Sequence, residues 1–136
     1  MQELVIEAQV KNLEKVNDFI HGILSDVQCP NRAIMQIDLI IEEIFVNVAS
    51  YAYPESTGLV IIQSEVKKNP LSITLKFIDT GIKYNPLANE DPDLTLSAEE
   101  RQIGGLGIYL VKNMVDEISY DYSDGQNILT LTKTLN

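Results

Sequence analysis

Two periodicities divide this chain, and they segregate rather than alternate. From Lys11 to about Val27 apolar residues recur every three or four positions, at Leu13, Val16, Phe19, Ile20, Ile23 and Leu24. From about Asn31 to Ala52 they recur again, at Ile34, Ile37, Ile41, Ile44 and Val48, with Phe45 and Ala52 alongside. Both stretches have the spacing of an amphipathic helix. Cys29-Pro30 separates them and Pro54 closes the second. Elsewhere the period drops to two. Leu4–Val10 reads as a strand, and Leu59–Val66 and Leu71–Ile78 read as two more, divided by the turn-forming Lys67-Lys68-Asn69-Pro70. A third helix is predicted over Gly104–Met114. Ile118–Tyr122 and Ile128–Leu135 then flank Asp124-Gly125, a residue pair suited to a two-residue type I′ turn. The order is β, α, α, β, β, loop, α, β, β. It predicts an α+β fold, a two-layer α/β sandwich whose mixed, mostly antiparallel sheet carries helices on one face and leaves the other largely open.

With 136 residues the chain has the usual size of one domain over 1–136 and is long enough to bury a core. A formal net charge of −10 argues against a nucleic-acid backbone or an anionic membrane surface as partner, because both would be repelled. A basic protein surface remains, as does a small anion that brings its own cation. No apolar run is long enough for a membrane-spanning helix, and the start of the sequence lacks the pattern of a signal peptide. A lone cysteine, Cys29, excludes an internal disulfide and suits the cytoplasm, and with a lone histidine, His21, it leaves little for a thiolate or imidazole metal site.

Three groups of residues carry chemistry. The first is Asp79-Thr80-Gly81. Along the preceding strand Leu71, Ile73, Leu75 and Phe77 share one face, and period two places Asp79 on that apolar face. A carboxylate there needs hydrogen-bond donors, and the exocyclic amine of a ligand base is one good source. Gly81 leaves space beside it for a planar ring. A turn cap facing water fits the same residues. The second is Gly104-Gly105-Leu106-Gly107, which opens a helix and so offers backbone amides and a positive helix end to a phosphate. A packing hinge also fits it. The third is Glu43 and Asn47, spaced i, i+4 on one face of the long helix at the edge of its apolar stripe. A neutral amide oxygen suits Mg²⁺ that carries water and phosphate oxygens, and a neighbouring carboxylate can take a proton from a hydroxyl. A solvated polar face is the alternative. Lys83–Ile103, with Pro86, Pro92 and many acids, has no clear period, and long loops of this kind tend to be lids or binding loops.

The combination resembles the GHKL (Bergerat-fold) ATPases over nearly the whole chain. Within them it is most similar to the bacterial anti-sigma-factor serine kinases of the partner-switching type. The residues that carry the resemblance are Glu42-Glu43-Ile44-Phe45-Val46-Asn47, Asp79-Thr80-Gly81 with Tyr84-Asn85-Pro86, Gly104-Gly105-Leu106-Gly107-Ile108, Val115-Asp116-Glu117-Ile118-Ser119-Tyr120, and Gly125-Gln126-Asn127-Ile128-Leu129. The resemblance implies ATP and Mg²⁺ as cofactors. It makes Glu43 a general base, Asn47 the metal ligand, Asp79 the adenine reader and Gly81 a part of the adenine pocket. Tyr84, Arg101, Gly104, Gly105, Leu106 and Gly107 would contact the nucleotide, under a lid of about 83–103. It implies a STAS-type anti-sigma factor antagonist as protein substrate, a sigma factor as second partner, and a homodimer. The alternatives are an ATP-binding partner switch without kinase activity, a detached histidine-kinase ATPase domain, and an interaction module that binds no nucleotide. The sequence departs from the family pattern at Lys83, where a second glycine is common, and at Tyr51, where a histidine or polar residue is common.

Overall fold

The structure is a computed structural model that describes residues 1–88 and 105–136. Its strands are β1 (Gln2–Glu7), β2 (Leu59–Lys67), β3 (Ser72–Asp79), β4 (Glu117–Ser123) and β5 (Gln126–Thr134). Its helices are α1 (Leu13–Leu24), α2 (Asn31–Tyr51) and α3 (Gly105–Met114), with short 3-10 turns at Val10–Asn12 and Pro86–Ala88. The strands form a sheet in the order β1-β2-β3-β5-β4, and every neighbouring pair is antiparallel. The sheet is therefore more uniform than the mixed arrangement the sequence suggested.

Strand alternation sets the layers. Ile73, Leu75, Phe77 and Asp79 of β3 are buried, as are Val60, Ile62 and Ser64 of β2 and Asn127, Leu129, Leu131 and Lys133 of β5. The opposite faces of these strands stay partly open, with Thr74 and Thr132 hydrogen-bonded across them at 3.2 Å. On the helical side, Ile37, Ile40, Ile41, Ile44 and Phe45 of α2 are buried to 1% exposure or less, and Val16 and Ile20 of α1 join the same core. Each such side chain stabilises the fold by about 1.5–3 kcal/mol on burial, before the cost of ordering the chain. Together they fix α2 along the middle of the sheet, and that packing positions Glu43 and Asn47.

Element edges differ from the sequence reading where the partner strand runs out. The first strand stops at Glu7 rather than Val10, because its ladder ends at the Glu7–Leu59 pair. Ala8 N–H then donates to Gly58 O at 2.9 Å, and Asn12 Nδ2 donates to Glu7 O at 3.0 Å, turning the chain into α1. That helix covers Leu13–Leu24, shorter at both ends than Lys11–Val27. The last hairpin turns as expected: Asp124 has φ +53° and Gly125 φ +77°, the left-handed pair that a type I′ turn requires, and Ser123 faces Gln126. Both hairpin strands extend to that turn, so β4 and β5 are longer than their apolar residues alone indicate. No helix of the described residues is long and apolar enough to cross a membrane. Most of the expected lid, including Arg101, lies outside the described residues, as does Gly104. Gly105 and Leu106 are described as backbone at the start of α3.

Candidate functional site

A cleft opens beside the buried end of β3. Its walls are Ile44 and Val48 of α2, Phe77 of β3, Leu129 of β5 and Ile108 of α3, and Asp79 and Asn127 lie at its polar end. Its empty space, open mouth included, is about 460 Å³. The strand alternation that buries Phe77 also carries Asp79 inward, to 6% exposure.

Asp79 is held by one of its two oxygens. Gly81 N–H and Asn127 Nδ2 both donate to Oδ1 at 2.9 Å. Among the described residues no donor reaches Oδ2. A buried carboxylate with one oxygen filled and one open is poised to accept a hydrogen bond from a ligand. Asn127 pairs with Asp79 across the β3–β5 ladder. Its Nδ2 also donates to Ile82 O at 2.9 Å, and its Oδ1 accepts from Tyr84 N–H at 3.1 Å and from the Tyr120 hydroxyl at 2.5 Å. Burial pushes the Tyr120 phenol up, keeping it a donor. Tyr53 supports the same turn from outside: its hydroxyl donates to Leu59 O at 2.7 Å and accepts from Thr80 N–H at 3.0 Å.

Gly81 is placed differently from the space-making role expected for it. A Cβ there would lie 2.2 Å from Ala52 O and 2.7 Å from Ala52 Cβ, at the end of α2. The absent side chain lets the turn close on that helix, where Ile82 N–H donates to Ala52 O at 2.9 Å. Ala52 and Ile82, rather than Gly81, line the cleft.

Asn47 lines the cleft, and its side chain forms no hydrogen bond among the described residues. Glu43, one turn earlier and half-buried, reaches the first turn of α3: a Cβ on Gly107 would lie 2.1 Å from Glu43 Oε2. A side chain at 107 would require that carboxylate to swing away from the helix start. The acid thus meets the positive end of α3 one helical turn from Asn47, which lines the cleft. Among the described residues no three His, Cys, Asp or Glu side chains gather to hold a metal. The donor set instead fits an ion whose other ligands arrive as phosphate and water.

The mouth is aromatic. The Tyr84 ring lies 6.4 Å from that of Tyr51 at 43°, and both line the cleft. Lys83 stands 5.1 Å over the ring of Tyr122 on β4, so the residue found where a glycine is common is occupied beside the cleft. Sequence reading missed Asn127, Tyr120 and Tyr53 as parts of this site. The signal for Asn127 was present: it stands in the inward phase of Leu129 and Leu131, as Asp79 does with Phe77 and Leu75.

The chain and its fold are similar to those of known proteins. The chain is 29% identical over 96 residues to the serine/threonine-protein kinase BtrW of Bordetella bronchiseptica, covering 71% of this chain and 67% of the relative. It is 22% identical over 129 residues to the serine-protein kinase RsbW of Bacillus cereus, covering 93% and 81%. Among solved structures, the RsbU and RsbW domains of Rv1364c from Mycobacterium tuberculosis match at TM-score 0.67 and 17% identity over 99% of this chain. This chain spans 33% of that solved chain. The histidine kinase domain of a blue-light activated histidine kinase from Erythrobacter litoralis EL346 matches at TM-score 0.58 and 16% identity over 93% of this chain and 60% of the other. At these identities the two structures speak for the fold alone. The family model described as a histidine kinase-like ATPase domain matches residues 6–133, from the first strand to the last, and the chain belongs to that family.

Proposed function

We propose that this chain is an ATP-dependent protein serine kinase of the partner-switching type, which phosphorylates an anti-sigma factor antagonist and sequesters a sigma factor. The observation that carries this reading is the open Oδ2 of buried Asp79 at the end of an apolar cleft, with Glu43 and Asn47 beside the start of α3. The kinase names of the BtrW and RsbW relatives support the protein-kinase reading.

Bound Mg-ATP supplies the phosphoryl group and the charge-compensating ion. Asp79 accepts from the exocyclic amine of adenine, and the apolar walls hold the ring between them. Tyr84 closes the mouth. Asn47 would offer its side-chain oxygen to the ion, and the amides of Gly105, Leu106 and Gly107 would orient the phosphates. Glu43 takes the proton from the attacking serine hydroxyl as the phosphorus–oxygen bond to it forms and the bond to the leaving diphosphate breaks. Positioning and charge neutralisation supply most of the acceleration. The whole of 1–136 acts as one nucleotide-binding unit in the cytoplasm, as a homodimer, and its acidic surface meets basic patches on the sigma factor.

The test mixes the protein with Mg-ATP and its cognate antagonist and looks for phosphoserine. Transfer is expected, and Glu43→Gln is expected to abolish it while nucleotide still raises the melting temperature. Ligand at about 100 times its dissociation constant contributes about 2.7 kcal/mol of stability. Stabilisation without transfer in the unmodified protein would reassign the chain as a binding-only switch. Transfer that survives Glu43→Gln would remove the base assignment.

A further inference from the structure

We infer that Asn127 fixes the base selectivity of the cleft, by occupying Asp79 Oδ1 and leaving Oδ2 as the one open acceptor. The inference rests on the nucleotide-binding reading and extends it to a polar residue of β5, Asn127, to which that reading gives no role.

The amide of Asn127 has only one workable orientation. Its Nδ2 faces two groups that can only accept, the Asp79 carboxylate and the Ile82 carbonyl. Its Oδ1 faces the Tyr84 N–H, which can only donate, and the Tyr120 hydroxyl. Turning the amide over would set acceptor against acceptor at two contacts and donor against donor at a third. The side chain is 7% exposed, so water does not relieve such a mismatch. Four bonds therefore fix the amide, and the amide together with Gly81 N–H fixes the plane of the Asp79 carboxylate. The free oxygen is presented to the cleft as an acceptor. Such a site takes a 6-amino purine and rejects a 6-oxo purine, whose oxygen would meet Oδ2 directly. Asn127 acts through Asp79 and is a positioning residue. Aspartate, of the same shape, lacks the two N–H donors, and a second carboxylate at this distance would compete with Asp79 for a proton.

The experiment compares dissociation constants for Mg-ATP, Mg-ITP and Mg-tripolyphosphate in the full chain, for the unmodified protein, Asn127→Asp and Tyr120→Phe. The unmodified protein is expected to prefer ATP to ITP by about tenfold or more, one charge-assisted hydrogen bond's worth. Asn127→Asp is expected to weaken ATP by about tenfold and to bring the ATP:ITP ratio towards one, with tripolyphosphate affinity unchanged. Tyr120→Phe keeps the ring and removes one anchor of the amide, so it is expected to narrow the ratio by about two- to fivefold. This second variant decides the matter should Asn127→Asp fail to fold. A ratio that stays put in the folded variants, or an equal loss for ATP and tripolyphosphate, would overturn the role of Asn127. Failure of the nucleotide reading looks different: no ATP binding by the unmodified protein at all.

Discussion

Two ionisable groups are buried on the inward face of adjoining strands, and they are handled in opposite ways. Asp79 ends β3 opposite Asn127, whereas Lys133 lies near the other end of β5, opposite Ile73. About 20 Å of strand separates them. Lys133 is 7% exposed, nearly as buried as Asp79, and its Nζ donates to Met114 O at 2.6 Å, on the last residue of α3. Burial pulls the Lys133 ammonium down from its ordinary value, with Asp116 opposing that shift. The carbonyl it satisfies is one that the helix end leaves unpaired, and a cation is favoured there. Lys133 thus points its charge at the protein itself and anchors α3 from below. Asp79 has one oxygen filled by the protein and the other open to a cleft. Burial alone does not mark a functional group; unused hydrogen-bonding capacity facing empty space does.

The largest effect expected from breaking this contrast is at Asp79. Asp79→Asn keeps an oxygen for Gly81 N–H and Asn127 Nδ2 but turns an NH2 donor, in place of the acceptor, towards the ligand. Calorimetry should show nucleotide affinity falling by about 30- to 100-fold, about 2–3 kcal/mol, with the melting temperature of the free protein little changed. Next comes Gly81→Ala. Its Cβ would press on the backbone oxygen of Ala52, which cannot swing aside as a side chain can, so urea unfolding should show a loss of about 1–3 kcal/mol. Lys133→Met should cost less, about 1 kcal/mol, and leave nucleotide affinity unchanged; a fall in affinity would mean the two ends of the sheet are not independent. The smallest effect is on pH. Tyr120 has its pKa raised in the folded chain, above the usual phenol value of about 10. The unfolded chain therefore loses this proton first. The stability it contributes is complete below about pH 10 and is lost as pH rises through the folded value. Urea midpoints measured from pH 9 to 11 should fall more steeply for the unmodified protein than for Tyr120→Phe.

The same contrast separates what local pattern can reveal from what it cannot. Alternation along Leu71–Phe77 was enough to place Asp79 inside, because a strand has only two faces and the apolar one must be covered. Helical spacing was enough to put Glu43 and Asn47 on one face of α2. The alternation of β5 held Asn127 and Lys133 in the same inward phase, but phase does not tell which of two inward polar residues meets a cleft and which meets a carbonyl. Gly81 shows the same boundary. Its need for an absent side chain was legible, but the neighbour that requires it, Ala52 O, belongs to a helix end far away in sequence.

By itself, then, the sequence determined the order of helices and strands, the face each presents to the core and the inward carboxylate, since period and burial are properties of neighbouring residues. Tertiary structure alone decided that Asn127 holds Asp79 by one oxygen, that Glu43 rests against Gly107, and that Lys133 is consumed within the fold. Those outcomes depend on which donors and acceptors from distant segments come within about 3 Å of one another, and short-range pattern carries no record of that distance.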